Sequence, residues 1–138
     1  MHHFGVYARI GDAAHVLLVR KTRGPYTGLL DLPGGTPEPG ETWAETLERE
    51  LHEELGLHLT PTGAFKHFAV HVHQSSTGTP ISLHHRGVYV DVHLPAGLQL
   101  AAGSADVTSP DTAGSAWFDL QTGDPAHLSS AARAVLPL

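Results

Sequence analysis

One stretch of the chain, residues 36–56, carries the strongest local signals and limits what the rest can form around it. Residues 36–40 read Thr-Pro-Glu-Pro-Gly, and these prolines exclude a helix there. A helix is predicted from about Thr42 to Leu55, with Gly56 as its stop signal. Apolar residues recur along it at helical spacing and form one stripe: Ala44, Leu47, Leu51 and Leu55. The remainder of the chain must therefore supply a surface against which this stripe packs.

The segments around this helix are mostly predicted strands. Apolar runs and period-two alternation predict strands at 4–10, 15–20, 57–59, 64–73 and 83–94, with short extended pieces at 29–32 and 116–118. A closing helix is predicted over 125–136, and 95–110 is predicted to be a loop rich in Gly, Ala and Ser. Strands surrounding two helices favour a mixed α/β sandwich. Because there is no internal repeat and no convincing linker, we expect residues 1–138 to form a single domain.

Negative charge is concentrated on the predicted helix. Eight Lys+Arg and 14 Asp+Glu give a net charge of −6, which argues against a general nucleic-acid-binding surface. Every glutamate lies between residues 38 and 54, and on a helix Glu50, Glu53 and Glu54 fall within about 100° of one another. Such a cluster is either a solvated acidic face or a cation site. Hard oxygen ligands favour Mg²⁺ or Mn²⁺, with Ca²⁺ also compatible.

The residues around these glutamates resemble the Nudix box, Gly-x5-Glu-x7-Arg-Glu-U-x-Glu-Glu-x-Gly-U, where U is a bulky aliphatic residue. From Gly35 to Leu57 the chain has Gly35, five residues, Glu41, seven residues and then Arg-Glu-Leu-His-Glu-Glu-Leu-Gly-Leu, so every specified position matches. The preceding Leu32-Pro33-Gly34 also resembles the family's usual lead-in. The resemblance is to the MutT-like members of the Nudix hydrolase family. It implies an α/β/α sandwich with a mixed central sheet, and hydrolysis of a diphosphate linkage.

The resemblance also assigns roles within the box. It implies that the Gly34 carbonyl and the carboxylates of Glu50, Glu53 and Glu54 are metal ligands, with Glu50 alternatively the base for the attacking water. Arg49 is expected to hold Glu50 or Glu41 by a charge-assisted pair. The expected catalytic residues are thus Glu50, Glu53 and Arg49. The competing interpretation of Arg49 is a surface salt bridge of little energetic value.

A further metal ligand is expected outside the box. Some MutT-like relatives use another glutamate before the last strand, and this chain has no glutamate after Glu54. Asp111 stands where such a ligand is expected, with Asp106 as the alternative. Residues 109–111 (Ser-Pro-Asp) are equally well interpreted as a turn.

Basic residues that follow the second predicted strand are candidates for binding substrate phosphates. Arg20, Lys21 and Arg23 could offset the negative charge of the site, and we expect Arg23 and Arg20 to bind the substrate. Their alternative is a solvated loop end. His67, His71 and His73 share one face of a predicted strand, where they form a polar sheet face or a transition-metal site.

The function that the resemblance implies is Mg²⁺-dependent cleavage of a nucleoside diphosphate linked to another group, with (d)NTP to (d)NMP and pyrophosphate as the leading candidate. The alternatives are ADP-ribose, an NDP-sugar or a dinucleoside polyphosphate as substrate, and a nucleotide-sensing module without turnover. The absence of cysteine excludes a disulfide framework, a thiolate zinc site and a cysteine nucleophile. Because residues 1–4 lack a signal-peptide pattern and no apolar run could span a bilayer, we expect a cytoplasmic protein. Its expected partner is a small nucleotide-type molecule and not a membrane or a specific nucleic acid, and a homodimer is left open.

Overall fold

The computed structural model describes residues 1–94 and 112–138, which form seven strands, two α-helices and one short 3₁₀ helix. In chain order the elements are β1 (His2–Gly11), β2 (His15–Lys21), β3 (Leu30–Asp31), β4 (Gly34–Gly35), α1 (Trp43–Leu55), β5 (Lys66–Gln74), β6 (Pro80–Val92), β7 (Thr112–Asp119), the 3₁₀ helix (Pro125–His127) and α2 (Ser130–Val135). None of the helices in this part of the chain combines the length and apolar character that a bilayer crossing needs.

The strands form one mixed sheet. Its main path runs β3-β2-β1-β6-β5, with β4 paired to β1 and β7 paired to β2. The β1–β6 pair is parallel, from His2 opposite His84 to Ile10 opposite Val92, and the other pairs are antiparallel. The expected mixed central sheet is therefore confirmed.

A helix packs against each face of the sheet because side chains alternate along the strands. On β1, Val6, Ala8 and Ile10 join the apolar cluster that contains Leu47 and Leu51 of α1. The opposite face carries Tyr7 in a second cluster, which contains these α2 residues: Ala131, Ala132 and Val135. The result is the α/β/α sandwich that the sequence resemblance implies.

Three predicted elements differ from those observed, and one observed strand was not predicted. Residues 57–59 form no strand, although Leu59 is buried in the α1-side cluster, so its apolar character reflects packing without strand pairing. The closing helix is split at Leu128, whose extended backbone (φ −97°, ψ 146°) separates the 3₁₀ helix from α2. The last strand is longer than predicted because β7 pairs along β2, and the short strand β4 was not predicted. The predicted loop at 95–110 lies outside the described residues.

Candidate active site

Local sequence fixes the position of α1. The Thr42 hydroxyl accepts the Glu45 N–H at 3.2 Å and the Glu45 carboxylate accepts the Thr42 N–H at 2.9 Å, which forms a capping box. At the other end Gly56 adopts a left-handed conformation (φ 70°) and donates its N–H to the His52 carbonyl. Because both ends are capped and one stripe of the helix is buried, its neighbouring edge presents the carboxylates at a defined place.

Glu54 is the most buried of these carboxylates, with 3% of the residue exposed. It accepts a hydrogen bond of 2.7 Å from the backbone N–H of Gly34. Burial raises the pKa of the Glu54 carboxyl well above its ordinary value, while the Gly34 N–H and the Lys21 ammonium act in the opposite direction. A buried carboxylate with so little compensating charge is a favourable place for a cation.

Gly34 and Gly35 bring the backbone close to this carboxylate cluster. A Cβ on Gly34, at φ 142°, would overlap the Val6 carbonyl oxygen and lie 2.7 Å from the Tyr7 Cα. A Cβ on Gly35 would lie 2.6 Å from the Cδ of Glu50. The two glycines therefore keep open the space between β1 and the helix edge.

Arg49 organises the acidic side chains into a network. Its Nε and Nη2 donate to the two carboxylate oxygens of Glu41 at 2.7 and 3.0 Å, and its Nη1 donates to Glu50 at 2.7 Å. Nη2 also reaches the Thr36 carbonyl at 3.1 Å, and Glu53 lies 3.5 Å from Nη1. Hydrogen bonding from Arg49 is the main reason that the pKa of Glu41 falls to about 2. The sequence left open whether Arg49 pairs with Glu41 or with Glu50. In the structure it contacts both.

Replacing Arg49 with lysine is expected to lower kcat by about tenfold, because a single ammonium cannot bridge Glu41 and Glu50 as the planar guanidinium does. Steady-state kinetics on the purified variant would measure the loss. The control is Glu38→Gln, since Glu38 is an exposed, more distant partner at 3.7 Å and its removal leaves the Arg49–Glu41 fork in place. Equal activity of Arg49→Lys and the unmodified chain would show that Arg49 forms a surface ion pair without a role in the reaction.

Two cavities meet beside this network. The small cavity, about 220 Å³, is lined by Gly34, Gly35, Glu50 and Glu54 among others. The large cavity, about 630 Å³, lies on the α2 side of the sheet. Residues that line both are His3, Tyr7 and Lys21. The two cavities therefore adjoin at these three residues.

The small cavity fits a hard divalent cation. The Glu50 carboxylate lies against the space that a Cβ at Gly35 would fill, and Glu54 lines the same cavity. Carboxylate oxygens are the donors that Mg²⁺ and Mn²⁺ prefer. In residues 1–94 and 112–138, no three His, Asp or Glu side chains are already arranged around a common point. Glu53 is half-exposed near Arg49 and is not among the residues that line the small cavity. Asp111 and Asp106 lie outside the described residues.

The basic candidates are placed differently from one another. Arg23 lines the large cavity, whereas Arg20 is exposed, donates to the Gly28 carbonyl at 3.0 Å and lines neither cavity. Alternation along β2 turns Lys21 to the opposite face from Arg20. The Lys21 ammonium lowers the pKa of both Glu50 and Glu54, in each case against the larger effect of burial. Of the neighbours Arg20 and Lys21, it is therefore Lys21 that lies beside the small cavity and acts on its carboxylates.

Sequence reasoning missed the polar groups at the wall of the large cavity. Asp31 is 2% exposed and accepts a hydrogen bond of 2.6 Å from the Ser129 hydroxyl. His85, at 1% exposed, lies between the hydroxyls of Tyr7 and Tyr26. No local pattern marks these residues, because each contact joins distant parts of the chain. His71 and His73, in contrast, lie on the exposed side of β5, their rings 4.1 Å apart.

Comparison with known proteins identifies the family and agrees with the fold. The family model of the NUDIX domain matches residues 1–137. A MutT NUDIX hydrolase from Burkholderia pseudomallei has the same fold, with a TM-score of 0.67 and 23% identity over 99% of both chains. A bifunctional NMN adenylyltransferase/ADP ribose pyrophosphatase from Francisella tularensis, solved with AMP and a Mn ion, gives a TM-score of 0.61 and 23% identity over 89% of this chain and 35% of that one.

A human protein named 8-oxo-dGDP phosphatase is 42% identical over 52 residues, which are 38% of this chain and 16% of the human protein. Among three curated relatives the matched region spans only 16% to 30% of the relative's length. These relatives consequently support a shared domain and leave the activity of this chain to be argued from its own site.

Proposed function

The chain belongs to the Nudix family, and on that premise we propose that it is a hydrolase that uses a divalent cation to cleave a phosphoric anhydride in a nucleoside diphosphate derivative. The observation that carries the proposal is the small cavity, where Glu50 and Glu54 meet Gly34 and Gly35 beside Lys21. This cavity shares a wall with a space of about 630 Å³. A substrate could thus place its diphosphate at the carboxylates and its nucleoside in the larger space.

The proposed cation ligands are Gly34, Glu50, Glu53 and Glu54, with Asp111 as a further candidate. Mg²⁺ is the proposed ion and Mn²⁺ its substitute, which the oxygen donors support. When bound, such an ion neutralises phosphate charge and lowers the pKa of a water molecule.

The chain's own residues position the reacting groups. Arg49 holds the Glu50 carboxylate by a 2.7 Å hydrogen bond, so that Glu50 is proposed either to hold the cation or to accept the proton of the attacking water. Glu53 and Arg49 complete the proposed catalytic set. Lys21 and Arg23 are proposed to attract the substrate phosphates, and Arg20, further away, contributes at most to the surrounding field.

Within nucleoside diphosphate derivatives, (d)NTP is the first proposed substrate, cleaved to (d)NMP and pyrophosphate. The second candidates are ADP-ribose and NDP-sugars, which the name of the Francisella protein favours. We further propose a single domain over 1–138, a cytoplasmic location and a small-molecule partner, with dimer formation to be decided by sedimentation.

A release assay tests this function. We expect the purified chain with Mg²⁺ to liberate pyrophosphate or a nucleoside monophosphate from at least one member of a panel of NTPs, dNTPs, ADP-ribose, NDP-sugars and dinucleoside polyphosphates. Chelation with EDTA should abolish turnover, and Mn²⁺ should restore it, because the proposed ligands are oxygens. No turnover on the whole panel with either metal would refute the enzymatic proposal.

A further inference from the structure

A continuous row of hydrogen bonds crosses the wall of the large cavity and is not used by the chemistry proposed above. The Tyr7 hydroxyl lies 2.8 Å from Nε2 of His85, and the Tyr26 hydroxyl lies 2.7 Å from its Nδ1. All three residues are at most 5% exposed. Since the two tyrosines occupy both ring nitrogens of His85, the proton arrangement at one end of the row fixes the arrangement at the other.

The row has a direction. Burial, followed by the charges of His3 and Lys21, lowers the pKa of His85 to about 4, so its ring is neutral near pH 7, with one donor and one acceptor nitrogen. The row therefore holds three hydrogens, one on the ring and one on each hydroxyl, but only two hydrogen bonds, so one hydroxyl hydrogen has no acceptor within the row.

The carboxylates near Tyr7 favour placing this hydrogen on its hydroxyl, because Glu50 and Glu54 line the small cavity together with Tyr7. In that arrangement Tyr26 donates its own hydrogen to Nδ1 of His85. With Nδ1 as the acceptor, the proton of the neutral ring is on Nε2, and that N–H donates to the Tyr7 oxygen. The hydrogen of the Tyr7 hydroxyl is then free to point away from His85.

Tyr7 stands where the two cavities meet, and its surroundings are anionic. It lines both cavities, together with His3 and Lys21. Burial raises the pKa of Tyr7 well above its ordinary value, and three carboxylates act in the same direction: Asp31, Glu54 and Glu50. A protonated phenol facing negative charge is stabilised when it presents its hydrogen and not its lone pairs.

We propose that the Tyr7 hydroxyl donates a hydrogen bond to a phosphate oxygen of the substrate where it passes from the large cavity into the small one, with His85 and Tyr26 as positioning residues that orient this donor. Phosphate oxygens only accept hydrogen bonds, so a donor of fixed direction adds to binding while an acceptor would oppose it. This inference rests on the proposed function, because it requires a phosphorylated substrate at the carboxylates.

The first test is Tyr7→Phe, which keeps the ring that packs on Phe68 and removes only the hydroxyl. We expect kcat/KM on the best substrate of the panel to fall by about 10- to 100-fold, the usual value of a hydrogen bond to a charged group. Calorimetric titration with Mg·ADP should show a weaker Kd by a similar factor. Thermal melting would establish that the variant remains folded.

Two variants serve for comparison. Tyr26→Phe removes the far end of the row without touching substrate, and we expect a smaller loss, about two- to tenfold in kcat/KM, because the Tyr7 donor is less well oriented. Tyr89→Phe should be unchanged: Tyr89 is opposite Tyr7 in the register of β6, but its ring lies under Arg9 and lines neither cavity.

A spectroscopic signature tests the direction of the row without any ligand. Two-bond ¹⁵N–¹H correlation spectra at pH 7 should show His85 protonated at Nε2 and unprotonated at Nδ1. The opposite tautomer would overturn the proposal, as would wild-type kcat/KM and Mg·ADP affinity in Tyr7→Phe. A higher Mg²⁺ requirement of Tyr7→Phe, with unchanged KM and Mg·ADP affinity, would also overturn it. The Tyr7 hydroxyl would then act on the carboxylates and not on the substrate. If the unmodified chain neither binds Mg·ADP nor turns over any substrate, it is the proposed function that fails.

Discussion

Glu53→Gln is expected to lower kcat by at least about 100-fold while the protein stays folded. Glu53 is half-exposed, and its nearest cationic partner is the Arg49 guanidinium at 3.5 Å. Loss of its charge should therefore change the free energy of unfolding by no more than about 0.5 kcal/mol, as for most surface substitutions. A large kinetic effect must then come from the reaction, because the fold is not affected.

The experiment compares kcat and Tm of Glu53→Gln with those of Glu48→Gln. Glu48 is an exposed glutamate of the same helix at a position that the box does not specify, so its neutralisation controls for the change in net charge. We expect Glu48→Gln to retain activity. If Glu53→Gln also retained it, the catalytic role would have to be reassigned within the box, first to Glu50 and Glu54, which line the small cavity.

Gly34→Ala is expected to cost at least about 3 kcal/mol of the free energy of unfolding, from backbone strain and overpacking together. The backbone of Gly34 has φ 142°, which side chains rarely adopt, and a Cβ there would overlap the Val6 carbonyl of the neighbouring strand. Backbone atoms of a paired strand cannot move aside as a side chain can. For a chain of 138 residues the loss corresponds to a decrease in Tm of about 10 °C.

Two other glycines separate the causes. Gly28 also has positive φ (84°), but a Cβ there would meet nothing within 4 Å, so Gly28→Ala measures conformational strain alone. Gly35→Ala would displace the carboxylate of Glu50, the end of a flexible side chain, and should lower activity more than stability. Denaturant unfolding would rank the three variants, and a Gly34→Ala variant no less stable than Gly28→Ala would contradict the packing of β4 on β1.

Local signals predicted the elements that short-range interactions stabilise. Helix α1 was predicted to within one residue at its start, because the capping box, the glycine stop and the apolar stripe all act within a few turns of the chain. The closing helix was predicted less well. Its split at Leu128 places the Ser129 N–H on the Leu30 carbonyl and the Ser129 hydroxyl on Asp31, and these partners are about a hundred residues away.

The sequence by itself determined the family, the capped helix and the glutamates on one of its edges, because spacing along a helix sets which side chains are neighbours. Only the tertiary structure decided that Lys21 and not Arg20 faces those glutamates, since β2 had to be placed in the sheet before its two faces could be distinguished. The tertiary structure alone also joined Tyr7, Tyr26 and His85, residues 59 and 78 positions apart in the chain. Such contacts depend on strand register and on burial from both sides of the sheet, which are properties of the whole fold and not of any segment.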